Sequence, residues 1–184
     1  MTDIPAVVSS GSTPSIGPQA RLQMELFRPP LHYPVHPYAE LLAHTAEKYP
    51  ENEAMLTRDV TLTYRELNAL VNMFANALLT QGIQKGQKVC LFMMNRAEYM
   101  ISWVAAARIG AVVSQMNPSY KEREVAYQMH NCEAAAVIVQ YELLPLVQAV
   151  RAEVPSLRQV IVIGAGGRSL PVDVISYSRI LQAQ

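Results

Sequence analysis

Cysteine is scarce in this chain. Cys90 and Cys132 are all it has, with no C-x-x-C spacing and no second ligand pair beside either. That excludes a disulfide-framed secreted domain and a cysteine-rich zinc module, and it leaves both thiols expected as small buried hydrophobes in a reducing compartment. An excess of one charge is also missing: fifteen Lys and Arg balance fifteen Asp and Glu, and charged residues are only 16% of the chain. A face built for nucleic acid or an anionic membrane would need a basic surplus, so neither is an expected partner. Long hydrophobic runs are absent too. The most apolar stretch, residues 99–113, is broken by Arg108 and falls short of a membrane span. The first residues carry Asp3 and Pro5 without a basic cluster or an apolar core, unlike a secretory signal. A cytoplasmic, soluble protein with no transmembrane segment is the expectation.

Several catalytic signatures are missing as well. No Gly-x-Ser-x-Gly elbow occurs, so a hydrolase nucleophile has no support. Gly82 to Lys88, "GIQKGQK", has the wrong spacing for a Walker loop and the order helix–loop–strand, where phosphate binding needs strand–loop–helix. His32, His36, His44 and His130 have neither metal-ligand spacing nor neighbours that would make one of them a base, and they read as surface or packing residues. Spacing and residue type therefore assign no catalytic, cofactor-binding or metal-ligating residue.

What is present is apolar: 51% of 184 residues, enough for a real core. Residues 1–34 hold Pro5, Pro14, Pro18, Pro29, Pro30 and Pro34 among serines and glycines, and they read as a flexible leader. Its "SSGSTPSIGP", Ser9 to Pro18, lacks the lysine and flanking strand of a phosphate loop. Order is expected from "HPYAELLAHTAEKYP", with Pro37 in the first helical turn and Pro50 as the stop. Two short strands follow, turning at Arg58-Asp59, and then a helix through "YRELNALVNMFANALLTQG". Leu67, Leu70, Val71, Phe74, Ala77 and Leu78 share one face of that helix, and Gly82 ends it.

Beyond Gly82 the pattern alternates. "KVCLFMM", "AVVSQM", "AAAVIVQ" and "RQVIVIG" read as strands, separated by helices in "AEYMISWVAAARIG", "KEREVAYQMHN" and "ELLPLVQAVRAEV"; "SYSRILQAQ" begins another helix. Strands that are apolar without alternation are buried on both faces, and intervening helices imply parallel crossovers. The expected class is α/β, a doubly wound and mostly parallel sheet with helices on both faces. Met93, Met94, Met100, Met116, Met129 and Trp103 read as core filler.

Local signals place the helix starts. Thr63-x-x-Glu66, Asn95-x-x-Glu98 and Ser119-x-x-Glu122 each offer a capping residue with a glutamate three later. In "GAVVSQMNPSY", Pro118 biases Asn117 toward extended backbone and so ends what reads as a central strand, while Ser119 is placed to cap the next helix. "IVIGAGGRS" has Gly164-x-Gly166 after a strand, but Ser169 stands at the third glycine position and Pro171 follows, so it reads as a loop.

At "TLTYREL", "NRAEYMISWVAAARIGAVVSQMNPSYKEREVAYQMHNCEAAAVIV" and "SYSRIL" the chain resembles the amino-terminal part of AMP-forming acyl-CoA synthetases, within the adenylate-forming ligases. "TLTYREL" is similar to the family's T-Y-x-E-L motif. "ARIGAVVSQMNPSY" is similar to its K-A-G-A-x-x-x-P-L-N-P motif, with Arg108 and Gln115 replacing commoner residues. The N-P-x-Y ending favours acyl- and aryl-CoA ligases, long-chain fatty acid–CoA ligases among them, over peptide-synthetase adenylation domains.

The resemblance implies that a carboxylic acid, a fatty acid foremost, attacks the α-phosphate of ATP to give an acyl-adenylate and pyrophosphate; CoA thiol then displaces AMP. Magnesium would offset phosphate charge. The family's lysine-bearing phosphate loop, acidic nucleotide motifs, hinge and catalytic lysine have no counterpart here. Residues 35–184 are thus expected to be the amino-terminal α/β subdomain of a longer ligase, inactive alone, binding no cofactor of its own, and prone to form a homo-oligomer through surface left uncovered. Asn95, Gln115, Asn117 and Tyr120 are candidates to line the edge facing the substrate cleft, although structural punctuation is the favoured role of their turn. Two rivals stay open: a free-standing α/β interaction module without catalysis, and a flavodoxin-like nucleotide binder.

Overall fold

The computed structural model describes residues 37–183. The leader expected over 1–34 lies outside the described residues, with its Ser9–Pro18 loop and His32; His36 and Gln184 lie outside them too.

Helix α1 (Tyr38–Lys48) starts behind Pro37 and stops before Pro50. An antiparallel hairpin of β1 (Glu53–Leu56) and β2 (Thr61–Thr63) turns through Arg58 and Asp59, as expected. It feeds α2 (Tyr64–Thr80) across a reciprocal cap: Glu66 N–H donates to Thr63 Oγ1 at 3.2 Å, and Thr63 N–H donates to Glu66 Oε2 at 2.8 Å. At the other end Gly82 takes φ +80°, a left-handed value that releases the chain from the helix and that a side chain would resist.

The main sheet is built from β3 (Lys88–Phe92), β4 (Val112–Gln115), β5 (Ala134–Gln140), β6 (Gln159–Ile163) and β7 (Ile175–Ser176), in the spatial order β4-β3-β5-β6-β7 and parallel throughout. Between them run α3 (Ala97–Arg108), α4 (Glu122–Asn131) and α5 (Leu144–Val150), and α6 (Tyr177–Gln182) closes the described chain. Alternate residues of each strand serve opposite layers. Val89, Leu91, Ile138, Ile161 and Ile163 pack with Phe74, Leu78 and Val104 of α2 and α3. Cys90, Phe92, Val137, Val139 and Val162 pack with Val125, Met129 and Val147 of α4 and α5. Winding runs outward from β3 to β4, then reverses over β3 to β5; right-handed crossovers therefore put α3 on one face and α4 and α5 on the other.

Arg108 ties three helices together. Its guanidinium donates to Asn68 Oδ1 at 3.0 Å and to Asn72 Oδ1 on α2, and to the Ala39 carbonyl of α1 at 3.1 Å. Trp103 packs edge-on to Tyr38, with ring centroids 4.9 Å apart.

Four expectations need correction, and one strand was not foreseen. The Asn95-x-x-Glu98 box does not form, because α3 starts behind Arg96 and the Glu98 carboxylate turns to the Arg96 guanidinium. Ser119 does not cap α4; that helix starts two residues later, and Glu124 takes the Lys121 N–H at 3.1 Å. The strand ahead of the Asn117-Pro118 turn is not central: β4 is the outermost of the described strands, and Val112 is half exposed. Met94 and Met100 are exposed, whereas Met93, Met116 and Met129 are core as expected. The two-residue strand β7 was not legible, because it lies ahead of α6 without an apolar run of its own.

Thr63→Ala removes one half of the α2 cap and leaves the Glu66 amide without its partner. The loss expected from urea unfolding is about 1 kcal/mol, whereas Ser119→Ala leaves stability unchanged within a few tenths.

Candidate functional site

Reversal of winding leaves a crevice between the carboxyl ends of β3 and β5, the place where open α/β sheets bind ligands. A cleft of about 590 Å3 opens there. Its walls are the hairpin turn Thr57–Val60, Leu62, Leu70 of α2, the 94–98 segment leaving β3, Gln140 ending β5, and Tyr177 with Leu181 of α6. Each polar member is there because a strand has just ended and the chain is turning.

Arg96 and Glu98 form the charged pair of this cleft, with Nε and Nη2 donating to the two carboxylate oxygens, each at 2.8 Å. Burial opposes ionisation of Glu98, yet the bidentate hydrogen bond and the adjacent positive charge outweigh it and hold the carboxyl below its ordinary range. Gly164, at the end of β6, lies against the same guanidinium: a Cβ there would stand 3.2 Å from Arg96 Nη1, and φ is +75°. The Gly164–Gly167 loop, read from sequence as a connector, is therefore also a wall behind the cleft's arginine. No helix follows it; the chain passes instead into β7.

Gln140 ties the two strand ends together, accepting the Met94 N–H at 3.1 Å and donating to Glu142 Oε2 at 2.9 Å. Tyr177 is buried with its ring 4.5 Å from that of Phe74, and its hydroxyl has no partner among the described residues. Burial and the nearby Glu98 charge keep that phenol protonated far above its usual range. The cleft thus offers apolar walls, a neutralised ion pair and the exposed Arg58 and Asp59 of the hairpin turn. That is a binding surface, without a nucleophile–base pair.

Of the sequence candidates, only Asn95 lines this cleft. Asn117 builds its own turn, its Oδ1 accepting the Ser119 N–H at 2.9 Å, and the Gln115 carbonyl accepts from Gln128 at 2.9 Å. Tyr120 lies instead in a surface hollow along α4 with Arg123, Glu124 and Tyr127. The turn joins the end of β4 to the start of α4. Arg96, Glu98, Gln140 and Tyr177 were missed; the only signal for them was that each falls at a strand end or shortly past one. His130 Nδ1 donates to the Glu153 carbonyl, 3.0 Å away, outside the cleft. No helix of the described residues is long and apolar enough to cross a membrane.

Residues 42–176 match the family described as AMP-binding enzyme. A medium/long-chain-fatty-acid–CoA/3-oxocholest-4-en-26-oate–CoA ligase of Mycobacterium marinum is 30% identical over 128 residues, 70% of this chain and 23% of that protein. A 3-hydroxybenzoate–CoA/4-hydroxybenzoate–CoA ligase of Thauera aromatica is 30% identical over 139 residues, 76% of this chain and 26% of that one. Among solved structures, an anthranilate CoA ligase in complex with anthranoyl-AMP matches with a TM-score of 0.74 at 26% identity, covering 83% of this chain and 28% of that chain. The chain spans about a quarter of the length of the curated relatives it matches.

Because the Glu98 carboxyl sits below its ordinary range when folded, its contribution to stability is present above the unfolded value of about 4.3 and is lost as pH falls through the lower folded value. Glu98→Gln should make the acid limb of the stability–pH curve shallower, with Glu66 and Glu142 still contributing. Urea midpoints between pH 3 and pH 7 read this out.

Proposed function

The chain belongs to the AMP-binding enzyme family, and from that premise we propose that residues 35–184 form the amino-terminal α/β subdomain of an ATP-dependent, AMP-forming acyl-CoA ligase. Its acid would be activated as an acyl-adenylate and passed to CoA, with a fatty acid the foremost substrate. One observation carries the reading: the family match runs through the whole doubly wound sheet, including the strand ends that form the cleft. Relatives named as fatty-acid and hydroxybenzoate CoA ligases support the acid–thiol ligase class and span both aliphatic and aromatic acids.

The described residues do not by themselves fit a magnesium triphosphate. The cleft's lining has no lysine, its Arg96 is already engaged by Glu98, its other arginine, Arg58, sits on the exposed hairpin turn beside Asp59, and no cluster of His, Cys, Asp and Glu among the described residues could hold a metal. No phosphoryl step is therefore routed through them; ATP, CoA and magnesium belong to the proposed reaction of a longer polypeptide. What these residues do in that reaction is hold a rigid apolar wall and orient the loops at the sheet's carboxyl edge. A cytoplasmic setting belongs to the same reading, supported by two unpaired thiols. So does self-association of the 184-residue chain.

ATP–pyrophosphate exchange tests the proposal. The 184-residue chain is expected to be silent with any acid, and the polypeptide from the full reading frame that contains it active with fatty or aryl acids. Robust exchange by the 184 residues alone overturns the division of labour, and no exchange by the longer polypeptide across an acid panel overturns the activity. A stop codon directly after Gln184 would favour the interaction-module reading.

A further inference from the structure

Cys90 and Cys132, expected as two unrelated buried hydrophobes, lie with their sulfurs 3.7 Å apart. Both are free thiols, but they are not equivalent. Cys90 is fully buried on β3, whereas Cys132 caps the carboxyl end of α4 and is partly exposed. Around them is a small polar site in an otherwise apolar layer. Ser114 is the in-register neighbour of Cys90 on β4, and its oxygen accepts a 2.9 Å hydrogen bond from Gln128 Nε2 on α4. That bond leaves the Ser114 proton to donate toward sulfur, which favours the anion. Lys88 adds positive charge, tempered by Glu133 at 3.5 Å, and the Met129 carbonyl lies 3.7 Å from Cys132 Sγ.

The two thiols divide one proton unequally. The contact between the two sulfurs, against the opposing effect of burial, holds the Cys132 thiol down at about 6. The same contact, with burial, pushes the Cys90 thiol well above its ordinary range. A thiolate that is partly exposed, with a second thiol in van der Waals contact behind it, is the arrangement of an oxidisable sulfur and its resolving partner.

We propose that Cys132 and Cys90 form a hydroperoxide-reactive dithiol in which Cys132 attacks and Cys90 resolves, closing a reversible disulfide between the end of α4 and β3. The Cys132 thiolate displaces at the distal peroxide oxygen. The S–O bond forms as O–O breaks, sulfur is oxidised to the sulfenic acid, and the departing oxygen takes a proton to leave as water or an alcohol. The Cys90 sulfur then attacks Cys132 Sγ; the S–S bond forms, and the sulfenic oxygen leaves with the Cys90 proton as water. Hydrogen peroxide and two thiols thus give one disulfide and two waters. Closure needs the sulfurs to approach to about 2.0 Å. Cys90 is fixed by ladders to β4 and β5, so the Cys132–Glu133 turn moves, where Glu133 already takes φ +50°.

Native chain treated with hydrogen peroxide and digested without reductant tests this. The expected product is an intramolecular Cys90–Cys132 cross-link, lighter than the reduced chain by two hydrogens and reversed by dithiothreitol. Limiting iodoacetamide on the untreated wild-type chain should label Cys132 at least about tenfold faster than Cys90 at pH 7, a preference lost in guanidinium. In Cys90→Ser, dimedone should trap a sulfenic acid at Cys132; in Cys132→Ser, Cys90 should stay unlabelled. Intermolecular dimers only, over-oxidation without a cross-link, or equal alkylation of both cysteines in the folded chain overturns the proposal. The alkylation arm uses no variant, so a misfolded mutant does not rescue it.

Discussion

Burial of β3 on both faces and both edges is the constraint on which this structure rests. Val89 and Leu91 look into one helical layer, Cys90 and Phe92 into the other, and β4 and β5 take its two edges. With no side facing water, every side chain of the strand must be apolar or partnered, and each large one contributes about 1.5–3 kcal/mol by leaving solvent. The same centrality forces the winding to reverse at β3, and the reversal opens the cleft. Core and site are consequences of one topological fact.

The cleft's chemistry follows from what happens where strands stop. Inside the sheet there is no room for Arg96 or Glu98; at its carboxyl edge, where Gln140 ends β5, the backbone turns and these polar side chains find partners. Arg96 is neutralised by Glu98 and backed by Gly164, so the edge is set in place without being reactive. That fits a supporting wall better than a catalytic centre, in line with a chain covering about a quarter of its relatives' length.

Much of the fold was legible because apolar runs and helical stripes are local. The capping box at Thr63 and the stop at Gly82 are written in adjacent residues, and each forms as read. Strand order is not local. Nothing within "AVVSQM" says that a later strand will pass over β3 and leave β4 outermost, so a strand that looked central is an edge. The failed boxes at Asn95 and Ser119 show a related limit: Arg96 competes for Glu98, and Asn117 turns the chain before Ser119 can cap. The cleft residues were invisible for the same reason, as was the meeting of Cys90 with Cys132, since register between distant segments decides both.

The order in which strands take their places also bears on synthesis. As the chain emerges, β3, α3 and β4 can assemble from neighbouring sequence, but the other flank of β3 stays bare until β5 has been made. For that interval a nascent chain carries a hydrophobic strand with unpaired amides and carbonyls, the kind of surface that chaperones shield. A pause in translation before β5 has left the ribosome would prolong that exposure, whereas the same pause once β5 has emerged would find the seam already closed.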